Sequence, residues 1–189
     1  MKTELEAKFS AIDPADLRAK LEKVGAKRVH PEILMRRKTF DLPDRKLYKT
    51  GGWVLVRDEG EKIKLSYKQM NDRTLHGTKE ITVIVNSFEE TCALLRAMGM
   101  EEKSYQETKR EAWNLGRVDI TIDTWPWVPT FVEIEGDSEE SVRKAAADLG
   151  LDWAKAMHGS VETIYQMHYD FTDEEIDHWP SITFIEPPQ

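Results

Sequence analysis

Glu4-Leu5-Glu6-Ala7-Lys8 is the stretch around which the chain reads. Side chains alternate along an extended strand, so Glu4, Glu6 and Lys8 share one face and Leu5, Ala7 and Phe9 the other. A second strand of the same design lies far away, at Phe131-Val132-Glu133-Ile134-Glu135. There Glu133 and Glu135 oppose Val132 and Ile134. Two remote strands thus each aim two carboxylates away from an apolar back. Joined in one closed sheet, they bring four carboxylates inside it, where each raises its neighbours' pKa unless cations intervene. A hard divalent metal suits such oxygen donors.

Composition narrows the setting. A chain of 189 residues is one domain, or one domain with an appended tail. A net charge of −8 argues against a broad basic surface, so neither duplex nucleic acid nor an anionic membrane is an expected partner. Cys92 is the single cysteine, which excludes an intrachain disulfide or a cysteine metal cluster. No apolar run reaches membrane length and no apolar signal region opens the chain. A reducing cytoplasm is the expected compartment.

Between the two acidic strands the pattern is strand–helix–strand. Asp13-Pro14 reads as a helix start, with Leu17, Leu21 and Val24 at helical spacing and Gly25 as the stop. Strands are expected over Ile33–Phe40, which contains Arg36 and Arg37, and over Trp53–Arg57. The segment Lys62–Lys68 puts Lys62, Lys64, Ser66 and Lys68 on one face, as either a guarded edge strand or a cationic wall. Lys79–Val85 follows, then a helix capped by Ser87 and Glu90 that carries Leu94, Leu95 and Met98. Tyr105–Trp113 and Arg117–Asp123 read as strands, and Val142, Ala145, Ala146 and Leu149 as a third helix. A fourth helix opens near Ser160 and holds Ile164 and Met167. The tail from Phe171 has a Thr172/Glu175 capping box, and Trp179, Ile182, Phe184 and Ile185 are expected to dock it. Asp13, Gly25 and Arg36 match Ser87, Gly99 and Arg110 at a constant offset, which favours Arg36 over Arg37 as the inward residue.

An opening Glu-x-Glu-x-Lys, basic strands in the middle and a late Glu-x-Glu together resemble the CYTH superfamily, from Glu4 to about Tyr165. These triphosphate tunnel metalloenzymes include class IV adenylyl cyclases, thiamine triphosphatases and inorganic tripolyphosphatases. The resemblance implies an α+β fold, a closed antiparallel eight-stranded β-barrel with helices packed outside. It implies a tunnel domain over 1–169 and a docked tail over 170–189. Lys8, Arg36, Arg57, Lys68 and Arg110 are then expected to bind phosphate, and Glu4, Glu6, Asp123, Glu133 and Glu135 to bind Mg2+ or Mn2+. The implied function is a metal-dependent phosphohydrolase acting on a small-molecule triphosphate, either inorganic tripolyphosphate or a nucleoside triphosphate. A cyclase making cyclic AMP and pyrophosphate is the alternative of the same fold. A non-catalytic polyphosphate-binding module is the alternative of another class, and a homodimer is left open.

Departures from the family pattern matter. Leu55 stands where the first arginine of Leu-Arg-x-Arg is usual, and Thr108 where the lysine of Lys-x-Arg is usual. Lys64 and Arg36 are the available substitutes. Thr39-Phe40-Asp41 lacks the tyrosine of the family's lysine–tyrosine pair, so no catalytic residue is singled out. His76 and His158 read as surface or packing residues. Trp125 and Trp127 read as sealing the outer wall, while Glu80 fits the tunnel and the exterior equally.

Overall fold

In this computed structural model, residues 1–185 are described; the last part of the expected tail, 186–189, lies outside the described residues. The chain opens on β1 (Lys2–Phe9) and α1 (Pro14–Lys23), whose N-cap Asp13 accepts hydrogen bonds from the amides of Ala15 and Asp16. Gly25, at φ +80°, ends the helix in the left-handed region that glycine enters without strain. Then come β2 (Lys27–Asp41), β3 (Gly52–Asp58), β4 (Ile63–Met70), β5 (Thr78–Val85) and α2 (Phe88–Ala97). The second half adds β6 (Glu101–Leu115), β7 (Val118–Thr124), β8 (Phe131–Gly136) and α3 (Glu139–Asp148). α4 (Glu162–His168), α5 (Asp173–Asp177) and β9 (Ser181–Ile182) finish it.

The strands run in the order β2-β3-β4-β5-β1-β8-β7-β6, and β6 pairs back with β2 to close an antiparallel barrel. β2 and β6 are longer than the sequence indicates because they pair along almost their whole lengths. The register shifts around Arg28, His30 and Ile33 accommodate Pro31, which cannot donate to the ladder. Closure fixes which face of each strand looks inward.

Most of the apolar material lies outside the barrel wall, although Trp125, Phe131, Ile176 and Ile182 of the third cluster also line the interior cavity. Ala7, Phe9, Ile120, Ile122, Val132 and Ile134 on the outer faces of β1, β7 and β8 pack with Leu17, Leu21, Val142 and Ala146 of α1 and α3. α2 presents Phe88, Cys92 and Leu95 to Phe40 and Val56, while Leu94 and Met98 face outward, as does Met167 of α4. A third cluster joins Trp125, Phe131, Ile164, Tyr165, Ile176 and Ile182. Here β9 runs parallel to β6, with Ser181 opposite Tyr105, while Arg45 pairs with Asp177 and Arg73 with Asp173. Ile182 is buried, whereas Ile185 is exposed. Because most of the hydrophobic core forms in this exterior layer, the barrel interior is left open to charged residues.

Candidate active site

Alternation delivers Glu4, Glu6 and Lys8 of β1 and Glu133 and Glu135 of β8 to the inside of the barrel, around a cavity of about 1180 Å³. Glu6 lies opposite Glu135 and Lys8 opposite Glu133 in register. Three to four strands away around the closed sheet, β2 and β3 contribute Arg37 and Arg57, themselves register partners. Lys68 and Lys64 of β4, Glu80 of β5 and Arg110 of β6 complete the lining between these walls. One wall is therefore rich in carboxylates and the facing wall in guanidinium groups.

Ion pairs link the residues within and between walls. Lys8 Nζ stands 2.5 Å from Glu6 Oε1 and 3.2 Å from Glu133 Oε2. Lys68 Nζ donates to both oxygens of Glu4 at 2.9 Å and reaches Glu80 at 3.8 Å. Arg110 donates to Asp123 at 2.6 and 3.0 Å and lies 3.5 Å from Glu133. Glu59, in the β3–β4 turn, holds both Arg57 and Lys64.

Electrostatics differ from wall to wall. Burial pushes the Glu4 carboxyl up to about 7 despite Lys68, and Glu6 and Glu80 add to the rise. Burial and the nearby Glu133 likewise raise Glu135, against Lys2. Burial also opposes ionisation of Glu133, but Lys8 and Arg110 overcome it and hold that carboxyl well below the usual range. Lys8 shows the converse: burial disfavours its charge, yet Glu133 and Glu6 keep it above its ordinary value. On the facing wall, burial together with Arg57 and Arg110 pulls Arg37 down to about 9. Negative charge is in surplus around Glu4 and Glu135, and positive charge around Arg37.

Two expected placements change. Arg36 points outward, pairing with Asp58 and Glu89 while its guanidinium lies 4.5 Å from the Phe88 ring centroid. Arg37 takes the inward position, because Phe40 belongs to the outer core and odd-numbered residues of this stretch therefore face in. Asp123 is inward by alternation but wholly buried behind Arg110, with Thr121 also donating to it, rather than on the cavity surface. Of the remaining expected residues, Lys8, Arg57, Lys68, Arg110, Glu4, Glu6, Glu133 and Glu135 all line the cavity. Trp125 is not on the outer wall: it lines the cavity under Arg37 and packs edge-on with Tyr165. His158 bonds the Glu6 carbonyl at 3.0 Å, and His76 approaches Glu139 at the surface.

A hard divalent cation is compatible with these donors. Glu4, Glu6, Glu133 and Glu135 all carry oxygen donors on adjoining strands, and burial raises the Glu4 and Glu135 carboxyls. Among the described residues no three histidine, cysteine, aspartate or glutamate side chains are grouped closely enough to hold a metal by themselves.

Comparison with known proteins gives the same architecture. A CYTH domain family model matches residues 2–174. A Vibrio parahaemolyticus protein provisionally assigned as an adenylate cyclase superposes with TM-score 0.75 at 17% identity, covering 87% of this chain and 98% of its own. Pyrococcus horikoshii PH1012 gives 0.71 at 20% identity, covering 85% and 98%. PH1819 from the same organism gives 0.69 at 22%, covering 88% and 99%. No curated protein matches the sequence. A family match over nearly the whole chain, on a barrel closed with its charges inside, establishes that this chain belongs to the CYTH domain family.

Proposed function

We propose that the chain is a metal-dependent phosphohydrolase that cleaves a small-molecule triphosphate inside the barrel. Members of this family are typically triphosphatases or cyclases that take small triphosphates. The observation that carries the reading is the segregation of charge across one cavity, with carboxylates on β1 and β8 and arginines on β2 and β3. A polyanion carrying a divalent cation complements both walls at once, which neither ion alone does.

Each residue then has a task. Arg57, Lys68 and Arg110 receive phosphate oxygens and stabilise the charge that develops on them during transfer. Asp123 fixes the Arg110 fork through two hydrogen bonds, so it acts as a positioning residue rather than a ligand. Glu4, Glu6, Glu133 and Glu135 would hold Mg2+ or Mn2+. When bound, that ion supplies Lewis acidity and charge neutralisation at the phosphate chain. Water entering the channel attacks the terminal phosphorus while the Arg110 fork holds the phosphate in line. The bond to the bridging oxygen breaks, the diphosphate portion leaves, and the water's proton passes to solvent.

Incubation of inorganic tripolyphosphate and ATP with the protein, with Mg2+ or Mn2+, tests this. Orthophosphate should appear only with metal, and Arg110→Ala should slow its release about 10²- to 10³-fold. Pyrophosphate together with a cyclic nucleotide from ATP would instead identify a cyclase. Tight tripolyphosphate binding with no product under either metal would identify a binding module.

A further inference from the structure

Among the cations that the barrel strands turn to the cavity, one is unlike the rest. Lys8, Arg57, Lys64, Lys68 and Arg110 each hold a carboxylate, but Arg37 forms no ion pair among the described residues. Its Nε is buried without a hydrogen-bond partner, and Nη2 makes a single long contact, 3.4 Å, to Thr108 Oγ1. Its guanidinium carbon lies 4.5 Å from the centre of the Trp125 ring. Leu55 pairs with Thr39 and Thr108 with Met35, so both are diagonal neighbours of Arg37 across β3 and β6. Neither offers a charge, and the neighbouring Arg57 and Arg110 are already paired with Glu59 and Asp123, which leaves Arg37 as the unpaired cation of these three.

A half-buried arginine beside two others, with its Nε buried and no ion pair of its own, opposes folding. Its geometry is nevertheless well defined. The indole lies against the guanidinium group and restrains it, while Arg37 lines the cavity. Planar forks of this kind receive two oxygens of one phosphate.

Building on the triphosphate reading above, we propose that Arg37, seated on Trp125 and Thr108, is a phosphate-binding residue that determines how this tunnel grips its substrate. It serves the stretch of wall that Leu55 and Thr108 leave uncharged. Arg36 cannot do so, since it faces out, and Lys64 lies on β4, one strand beyond Arg57. Trp125 is the positioning residue, acting through Arg37 rather than on the ligand.

Calorimetric titration with inorganic tripolyphosphate, with and without Mg2+, tests the assignment on the full chain. Arg37→Met should weaken binding about 10- to 100-fold, the loss of a hydrogen-bonded charge pair. Arg37→Lys should recover only part, because a point charge does not replace the fork. Trp125→Leu should weaken binding in the parent but add little in the Arg37→Met background, and Arg36→Met should stay within about twofold of wild type. The melting temperature of Arg37→Met should hold or rise, since an unpaired, half-buried charge is removed. Unchanged affinity in Arg37→Met, while Arg110→Met weakens, overturns this assignment and leaves the triphosphate reading standing. A lowered melting temperature with unchanged affinity marks a structural arginine and also overturns it. Failure of the wild-type protein to bind tripolyphosphate under either condition overturns both.

Discussion

Lys8→Met should lower stability by about 3–5 kcal/mol, as expected when one partner of a buried ion pair is removed. Only 4% of the Lys8 side chain is exposed, and Glu6, its neighbour at 2.5 Å, is 9% exposed. Methionine fills the volume but leaves Glu6 desolvated without its cation, whereas Glu133 keeps Arg110. For a chain of this size the loss corresponds to a fall in melting temperature of roughly 6–20 °C. Urea unfolding reads it as a lower midpoint at an unchanged slope. Adding Glu6→Gln to Lys8→Met should restore more than half of the loss, because the stranded charge is removed with it. A loss under about 1 kcal/mol for the single variant would mean that Lys8 is solvated rather than buried between Glu6 and Glu133.

The second large effect is on pH. Burial raises the Glu4 carboxyl to about 7 from an ordinary value of 4.5, so between these values the native protein keeps a proton that the unfolded chain has released. The folded state is favoured by this group below about pH 4.5, and that advantage disappears as pH rises through 7. The size is about 3 kcal/mol, since a tenfold change in proton affinity is worth about 1.4 kcal/mol. Ligand-free protein should therefore lose about that much stability from this group between roughly pH 5 and pH 8. Glu4→Gln should flatten that part of the profile. On the proposed function, Mg2+ at about pH 8 should return stability to the wild type but not to Glu4→Gln, because the cation takes the proton's place. Equal slopes for the two proteins would place Glu4 in a solvated setting.

How far the sequence reveals this depends on how cleanly each strand alternates. β1 and β8 pair acidic residues with an uninterrupted apolar back, so on each strand the two carboxylates are legible as one face, while the closed barrel that brings Glu4, Glu6, Glu133 and Glu135 together is read from the family resemblance. β2 is harder, because Arg36-Arg37-Lys38 is charged on both faces and bulges precede it. The even positions there make surface ion pairs, as Arg36 does with Asp58 and Lys38 with Glu102, which conceals the period of two. Phe40 is the usable signal, since an outward aromatic under α2 sets Arg37 inward. Other features need the third dimension. Asp58-Glu59-Gly60-Glu61 offers three acids, and only the turn geometry selects Glu59 for Arg57 and Lys64. Trp125 sits in a Pro-rich connection with no strand period, so its position under Arg37 comes from docking against Tyr165 and the tail. Asp123 shows the limit of parity, which predicts direction but not that Arg110 covers it.

The most direct measurement is a crystal structure with Mn2+ and a non-hydrolysable triphosphate, with the metal located by its anomalous signal. Manganese should be bound by carboxylates of β1 and β8 together with phosphate oxygens, and the phosphate chain should lie on Arg37, Arg57 and Arg110. Manganese and triphosphate bound only on the exterior, with the Lys8–Glu6 and Arg110–Asp123 pairs undisturbed around an interior that excludes both, would contradict the tunnel assignment.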